Sequence, residues 1–229
     1  MEAARGVSEA FRTPDSVGHS ELVVLRSRFL GVARPVRDQE ECEAHLARLR
    51  GRYPDASHMV FAFRVGRDRG VLVERYSDDG EPSGTGGPPL LDMLQNRGFH
   101  HALVAVTRYF GGTKLGTGGL ARAYGEAGQL ALEEAGVAHR VPCQLMHLEV
   151  PYTNWGKASA YISERRYPQR DAAFSHVVTT SVWVPLNDRD SFTRDMAEIS
   201  AGNIGCTPAE EAYLPRRRGR LEGDNCWTY

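Results

Sequence analysis

The segment from Ser77 to Gly87, called the acidic block here, combines carboxylates, hydroxyls and glycines. Its polar candidates for ligand binding are Ser77, Asp78, Asp79, Glu81, Ser83 and Thr85. Carboxylate oxygens are the ligands that Mg²⁺ prefers, and hydroxyl and carboxylate side chains also stabilise turns by bonding to nearby backbone. The composition therefore leaves two interpretations open, a Mg²⁺-binding loop and a solvated turn.

A second segment, from Arg108 to Gly119, is called the glycine block here and reads R-Y-F-G-G-T-K-L-G-T-G-G. Backbone N–H groups at the start of a following helix, with Lys114 beside them, are suited to phosphate or another anion. The order matches neither a Walker A loop nor the G-x-G-x-x-G dinucleotide motif. The candidate ligand-binding residues are Arg108, Tyr109, Phe110, Lys114, Thr117 and, just beyond the block, Arg122. A glycine-rich turn without a ligand is the alternative.

These residue types suggest contacts with RNA. Arg108, Lys114 and Arg122 would meet backbone phosphates, and Tyr109 or Phe110 would stack on a base. The carboxylates of the acidic block oppose this hypothesis, because they would repel phosphate unless they are turned away or bridged by a cation. A face that docks a partner peptide is a further interpretation of the same two blocks.

Patterns that would indicate other chemistry are missing from the sequence. Cys42, Cys143, Cys206 and Cys226 form no C-x-x-C pair, and the histidines lack the spacing of a metal set. No Ser-His-Asp or Cys-His order supports nucleophilic catalysis. We therefore expect a binding protein rather than an enzyme and no resident cofactor, with Mg²⁺ at the acidic block as the possible exception. An enzyme or binder for a phosphate-bearing small molecule stays open as the alternative.

Both blocks run from a strand into a helix. A hairpin with alternating apolar residues, Met59–Val65 and Val71–Tyr76, leads into the acidic block, and Pro88 and Pro89 suit the first turn of the helix that follows. A buried strand at Ala102–Val106 leads into the glycine block. The helix after that block is predicted to end near Gly136, where the first domain closes.

The chain divides into two predicted domains. Residues 1–18 are expected to be a flexible arm, residues 19–139 the first domain, residues 143–214 the second, and residues 215–229 a flexible tail that is basic and then polar. The second domain has the order β-α-β-β-α-β, which is typical of a ferredoxin-like fold.

The composition sets limits on location and partners. The 229 residues are 41% hydrophobic and 25% charged, as in soluble globular proteins. No apolar run reaches the roughly 18 residues that span a bilayer, so we expect a cytoplasmic protein with no membrane partner. The formal net charge of -1 argues against wholesale electrostatic binding of nucleic acid, and no DNA partner is expected. Any RNA contact needs a local basic patch.

The two blocks together resemble the YigZ/IMPACT family. The matching segments are S-D-D-G-E-P-S-G-T-G-G at Ser77–Gly87 and V-T-R-Y-F-G-G-T-K-L-G-T-G-G-L-A-R-A-Y at Val106–Tyr124. Upstream, Arg26–Leu30 resembles the family's K-S-x-F-I segment, and His58–Phe63 resembles its H-x-x-Y-A-Y strand. Met59 and Val60 stand where relatives often place Asn-Cys, so no role for a thiol is carried over.

The resemblance implies an α+β protein. It implies an N-terminal domain like ribosomal protein S5 domain 2 and domain IV of elongation factor G, followed by a ferredoxin-like βαββαβ domain like domain V of that factor. It also implies translation-linked regulation, since eukaryotic members act on a translational stress pathway through protein contacts. The partner expected from it is RNA, the ribosome or a ribosome-associated protein.

Overall fold

The computed structural model describes residues 10–66, 72–170, 172–217 and 219–223, and the backbone of 227–228. The chain forms two compact units. One spans Phe11–Ala138 and the other begins at His139. The observed division lies next to the predicted end of the first domain at residue 139.

The first unit is built on a single antiparallel sheet. Its elements are β1 (Phe11–Pro14), β2 (Gly18–Val24), β3 (Ser27–Pro35), α1 (Gln39–Arg52), β4 (His58–Gly66), β5 (Leu72–Ser77), α2 (Gly87–Asn96), β6 (Ala102–Tyr109) and α3 (Gly116–Ala135). The strand order is β2-β3-β6-β4-β5, and β1 is not part of this sheet. The central strand β6 is buried from Ala102 to Arg108, which explains its continuous apolar sequence.

Helices cover both faces of this sheet. On one face, α2 and α3 pack against Phe29, Val60, Val104 and their neighbours. On the other face, Cys42 and Leu46 of α1 pack against Met59, Phe61 and Leu103. The alternation of side chains along β4 and β6 therefore supplies two cores from the same strands.

Local signals explain where the helices begin and how closely they approach. Asp38 caps α1 by accepting a hydrogen bond from the Glu41 N–H at 2.7 Å. Close contact of α3 with the sheet depends on small residues. A Cβ placed on Gly31 would lie 2.7 Å from the Ala127 carbonyl oxygen, so a larger residue would push the helix away.

The predicted arm of residues 1–18 differs from the structure within its described part. Phe11–Pro14 form β1, and β2 begins at Gly18. The Thr13 hydroxyl is buried and donates to the His101 carbonyl at 3.0 Å, while an Arg12 Nη1 group donates to the Arg97 carbonyl at 2.9 Å. These contacts join residues far apart in the chain, which is why local periodicity did not reveal the strand.

The Val- and Leu-rich sequence from Leu22 to Val36 by itself predicts one long strand, but the structure has a hairpin of β2 and β3 there. Its turn residues Leu25 and Arg26 have positive φ angles of 46° and 66°. Both central residues of a two-residue type I′ turn have positive φ, a conformation usually supplied by Gly or Asn, so this sequence carried no turn signal.

The second unit has the ferredoxin-like order predicted from the sequence. Its elements are β7 (Val137–Val150), α4 (Tyr152–Glu164), β8 (Ala173–Phe174), β9 (Val178–Pro185), α5 (Arg189–Ser200), β10 (Gly205–Arg217), β11 (Arg220–Leu221) and β12 (Trp227–Thr228), with a 3-10 turn at Leu186–Asp188. The strand order is β11-β10-β7-β9-β8, with β12 also paired to β10. Helices α4 and α5 bury Ile162, Phe192 and Met196 against β7 and β9.

The predicted flexible tail also contains regular structure. Arg216 and Arg217 belong to β10, and Arg216 pairs with Leu221 of β11. Arg218 lies outside the described residues. Backbone pairing rather than side-chain pattern orders this segment, so its basic composition alone pointed to a solvated tail.

Candidate functional site

The acidic block is held by its own aspartates. Asp78 Oδ1 accepts from the backbone N–H groups of Gly86 and Gly87, both at 2.8 Å, and Oδ2 accepts from Gly84 N–H at 2.8 Å. These donors precede or begin α2, where backbone N–H groups have no partner within the helix. Both oxygens of Asp78 therefore serve the start of α2.

Glycine is required where this loop turns against the sheet. A Cβ on Gly86 would lie 2.7 Å from a Val60 methyl, and one on Gly87 would lie 2.6 Å from the Tyr76 ring. Either contact is far shorter than side chains tolerate. Packing thus accounts for Gly86 and Gly87, whereas Gly80 and Gly84 have positive φ angles of 86° and 82°.

Asp79 fixes the other end of the acidic block. Its backbone has φ of +46°, and its carboxylate accepts from Met59 N–H at 2.7 Å. The Asp79 carbonyl lies 2.8 Å from His58 Nδ1, so that nitrogen carries the proton and donates. The Ser77 hydroxyl accepts from Asp79 N–H at 3.1 Å. This turn is joined to the first residues of β4.

Glu81 connects the two blocks. Its side chain is 4% exposed, and Oε1 accepts from Arg108 Nη1 at 2.5 Å and from the Tyr124 hydroxyl at 2.8 Å. Burial first, and then the hydrogen bond to Glu81, raise the pKa of Tyr124, which keeps the phenol a donor. His58 Nε2 lies 4.0 Å from the same oxygen. The acidic block is thereby anchored to both β6 and α3.

Ser27 extends this network to the glycine block. Its hydroxyl oxygen accepts from Arg108 Nη2 at 3.3 Å and from Gly111 N–H at 3.1 Å. A Cβ on Gly111 would lie 2.1 Å from the Arg26 carbonyl carbon, so the block rests directly on the β2–β3 turn. The order of contacts is Glu81 to Arg108, Arg108 to Ser27, and Ser27 to Gly111.

The outer side of the glycine block is exposed and basic. Its members define what we call the glycine-block surface: Arg26, Phe110, Lys114, Thr117 and Arg122, all exposed. Arg26 Nη2 donates to the Thr113 hydroxyl at 3.2 Å, which holds the turn residue beside the loop. Helix α3 starts at Gly116 with no side-chain cap and no acidic residue in its first turn. The positive end of the helix is therefore not compensated.

Arg122 also lies near this helix start. A Cβ on Gly118 would lie 3.8 Å from Arg122 Nη1, so the guanidinium folds back beside the first turn of α3. Tyr109 lies elsewhere, since its hydroxyl donates to Asp55 at 3.0 Å. Successive side chains of a strand point to opposite faces, which separates Tyr109 from Arg108.

The structure sorts the predicted site residues into two groups. Ser77, Asp78, Asp79, Glu81, Thr85 and Arg108 make contacts inside the protein, and Phe110, Lys114, Thr117 and Arg122 face outward. Ser83 is exposed on the acidic block. Sequence analysis assigned no role to Arg26, Ser27 or Tyr124, although all three lie in segments that carry the family resemblance. Their roles depend on contacts that span the fold.

A metal site would need several ligands together. Among the residues that the structure describes, no group of three or more His, Cys, Asp or Glu side chains could hold a metal ion. Within the described ranges, no helix is both long and apolar enough to span a bilayer.

The fold and this pair of strand-to-helix loops define a two-domain α+β protein, and comparison with known sequences identifies its family. Residues 25–132 match the Impact N-terminal domain, and residues 148–203 match a domain of unknown function, DUF1949. The chain is 31% identical over 207 residues to IMPACT family member YvyE of Bacillus subtilis, covering 90% of this chain and 94% of that protein. The chain belongs to the IMPACT family, which confirms the resemblance seen in the two blocks.

Other relatives agree with this assignment. The chain is 29% identical to IMPACT family member YigZ of Escherichia coli, covering 82% of this chain and 92% of YigZ. A crystal structure of a hypothetical protein superposes with a TM-score of 0.58 at 27% identity, covering 89% of this chain and 99% of that one. That likeness extends over both units and supports the two-domain α+β fold.

Proposed function

We propose that this protein binds RNA through the glycine-block surface and acts as a translation-associated regulatory protein at the ribosome or a ribosome-associated protein. One observation carries the proposal. Exposed cations lie beside the uncapped start of α3, while the carboxylates of Asp78 and Glu81 are bonded inward.

The inward bonding weakens the main objection to phosphate binding. Glu81 is paired with the Arg108 guanidinium, which cancels its charge, and Asp78 accepts three backbone N–H groups, whose dipoles partly offset the charge of its carboxylate. The acidic block therefore repels phosphate less than its composition alone suggested.

The cations of the glycine-block surface are available to a ligand. In the part of the chain that the structure describes, no carboxylate lies within salt-bridge distance of Arg26, Lys114 or Arg122. The start of α3 adds about half a positive charge. A local basic patch of this kind can attract RNA phosphates even though the overall formal charge of the chain is -1.

The translational role rests on family membership. The IMPACT resemblance implies translation-linked regulation, and contact with ribosomal RNA is a direct way for a basic surface to reach the ribosome. Binding of a phosphate-bearing small molecule through Mg²⁺ would need carboxylate oxygens that face solvent. Asp78 and Glu81 are bonded inward, and of the three carboxylates of the acidic block only Asp79 is exposed, so we favour RNA.

The test compares two triple variants of the full chain. R26A/K114A/R122A removes the proposed phosphate contacts, and R50A/K157A/R194A removes the same charge from exposed helix positions elsewhere. We measure fluorescence anisotropy with a mixed-sequence single-stranded RNA and co-sedimentation with ribosomes. The first variant should bind RNA about tenfold or more weakly at low salt, and the second should bind like the wild type.

Three outcomes would overturn the proposal. The wild-type protein could bind neither RNA nor ribosomes at low salt, or both triple variants could lose binding equally. Alternatively, R26A/K114A/R122A could co-sediment with ribosomes as well as the wild type does. Ribosome binding without RNA binding would favour the peptide-docking interpretation instead.

A further inference from the structure

Phe110 is an exposed aromatic side chain that the protein holds in place. Its residue is 49% exposed, and the Arg108 guanidinium carbon lies 5.4 Å from the centre of its ring. The Phe110 N–H donates to the Ser57 hydroxyl at 3.1 Å, and the next N–H, that of Gly111, donates to Ser27. Both peptide groups are thus fixed.

The cation beneath this ring is itself immobilised. Arg108 is 5% exposed, is paired with Glu81, and lies at 5.4 Å from the Phe29 ring as well. A cation over an aromatic face is attractive, most strongly when both groups are shielded from water. The buried Arg108 guanidinium therefore holds the Phe110 ring in place on its inner side, and part of the ring stays exposed to solvent.

The surroundings of Phe110 indicate what would cover its exposed part. Arg26 contacts Thr113 and Gly111 of the glycine block, Lys114 lies in the same block, and Arg122 lies beside the start of α3. All three cations are exposed. Cations around an exposed ring suit an aromatic base attached to phosphates, whereas an apolar protein partner would leave those charges desolvated. The contact between Tyr109 and Asp55 leaves Phe110 as the stacking residue of the two predicted from the sequence.

We propose that Phe110 stacks on an unpaired base while the adjoining phosphates bind the cations of the glycine-block surface, so that the ligand is single-stranded RNA. The bases of a duplex are already stacked and paired, and their faces are unavailable to a side chain. A ring that is ordered before binding loses little conformational freedom on stacking. This inference rests on the proposed RNA-binding function and specifies its ligand.

The experiment uses a single-stranded RNA containing 2-aminopurine and a duplex of the same sequence. Stacking quenches 2-aminopurine fluorescence, so the signal reports the base contact directly. The wild-type protein should quench the single strand and bind it about tenfold more tightly than the duplex. Phe110→Ala should lose the quenching and weaken single-strand binding about tenfold, and Phe110→Trp should restore both.

Phe174→Ala is the matched control. Phe174 is 60% exposed and packs against Trp155, with ring centroids 5.9 Å apart, rather than against a guanidinium. Its removal should leave quenching and affinity unchanged. Circular dichroism melting of each variant shows that the fold is retained.

The outcomes separate this inference from the proposed function. If Phe110→Ala binds and quenches like the wild type, or duplex RNA binds as tightly as the single strand, the base-stacking inference is wrong. The proposal that the basic surface binds RNA would still hold. If Phe110→Ala loses ribosome association but keeps single-strand binding, Phe110 contacts a protein and the inference is wrong. If wild-type protein binds no RNA at all, the proposed function fails and the inference fails with it.

Discussion

Glu81 is the residue on which the candidate site depends most. It joins the acidic block to Arg108 and Tyr124 within the protein, and removing it would leave the buried Arg108 guanidinium without a carboxylate. Glu81→Ala should therefore lower the free energy of unfolding by about 3–5 kcal/mol. Urea denaturation followed by circular dichroism measures this change.

Glu21→Ala provides the comparison for this variant. Glu21 pairs with Arg28 at 2.9 Å, but both side chains are about half exposed, at 53% and 52%. Exposed ion pairs contribute little because water screens them, so the midpoint of denaturation should barely move. Equal losses in the two variants would show that the Glu81 network is not the anchor of the site.

Cys42 makes a residue-level prediction about pH. Burial raises the pKa of the Cys42 thiol from 9.0 to about 12. Because the folded pKa is the higher one, its contribution to stability is complete below about pH 9 and is lost as pH rises toward 12. At about pH 10.5 the loss should reach about 2 kcal/mol, and Cys42→Ala should lack this component of the alkaline decline. Parallel curves for the two proteins between pH 8 and pH 10.5 would contradict the assignment.

The sequence predicted the identity of most site residues but not their orientation. Both blocks stand out by composition, yet the partner of Glu81 is Arg108, 27 residues away, and their pairing depends on the fold. A carboxylate bonded inward and one facing solvent have the same sequence signature. The sequence therefore could not show whether the carboxylates of the acidic block would oppose phosphate binding at the basic loop, because that depends on where the side chains point in the fold.

At the scale of the elements, the glycine block packs directly against the β2–β3 turn. A Cβ on Gly111 would lie 2.1 Å from backbone of Arg26, which cannot move as a side chain can. Gly111→Ala should lower stability by about 1–3 kcal/mol and weaken RNA binding, because the loop and turn must separate. Thermal melting and anisotropy with single-stranded RNA measure the two effects.

Gly125→Ala is the control in the same part of the protein. Gly125 lies within α3, and an added Cβ would have nothing within 4 Å. Alanine favours a helix over glycine, so this variant should gain about 0.5–1 kcal/mol. A Gly111→Ala protein as stable as the wild type would show that the turn does not support the glycine block.

Element prediction succeeded where the signals were local. Pro88 and Pro89 indicated the first turn of α2, and Gly136 indicated the end of α3, as the structure has them. The sequence did not predict the strand Phe11–Pro14, because this strand depends on hydrogen bonds to residues distant in the chain. It did not predict the turn at Leu25 either, because the turn residues rarely adopt the positive φ angles that they have here.

At the scale of the molecule, β1 is bonded to the first unit through Thr13 and Arg12. A fragment of residues 16–229 should therefore be less stable than one of residues 10–229 by about 2 kcal/mol. The shorter fragment loses the buried bond from Thr13 to His101 and the bond from Arg12 to Arg97. Urea denaturation of both fragments checks this, and equal midpoints would contradict a structural role for β1.

The central claim is that a local basic surface binds RNA on a protein of nearly balanced charge. The most direct test is the dependence of RNA affinity on salt for the wild type, R26A/K114A/R122A and the control R50A/K157A/R194A. Each lost contact with a single-strand phosphate should reduce the slope of log affinity against log salt by about 0.7, so the first variant should lose about 2 and the control none. Identical slopes for all three proteins would contradict the account.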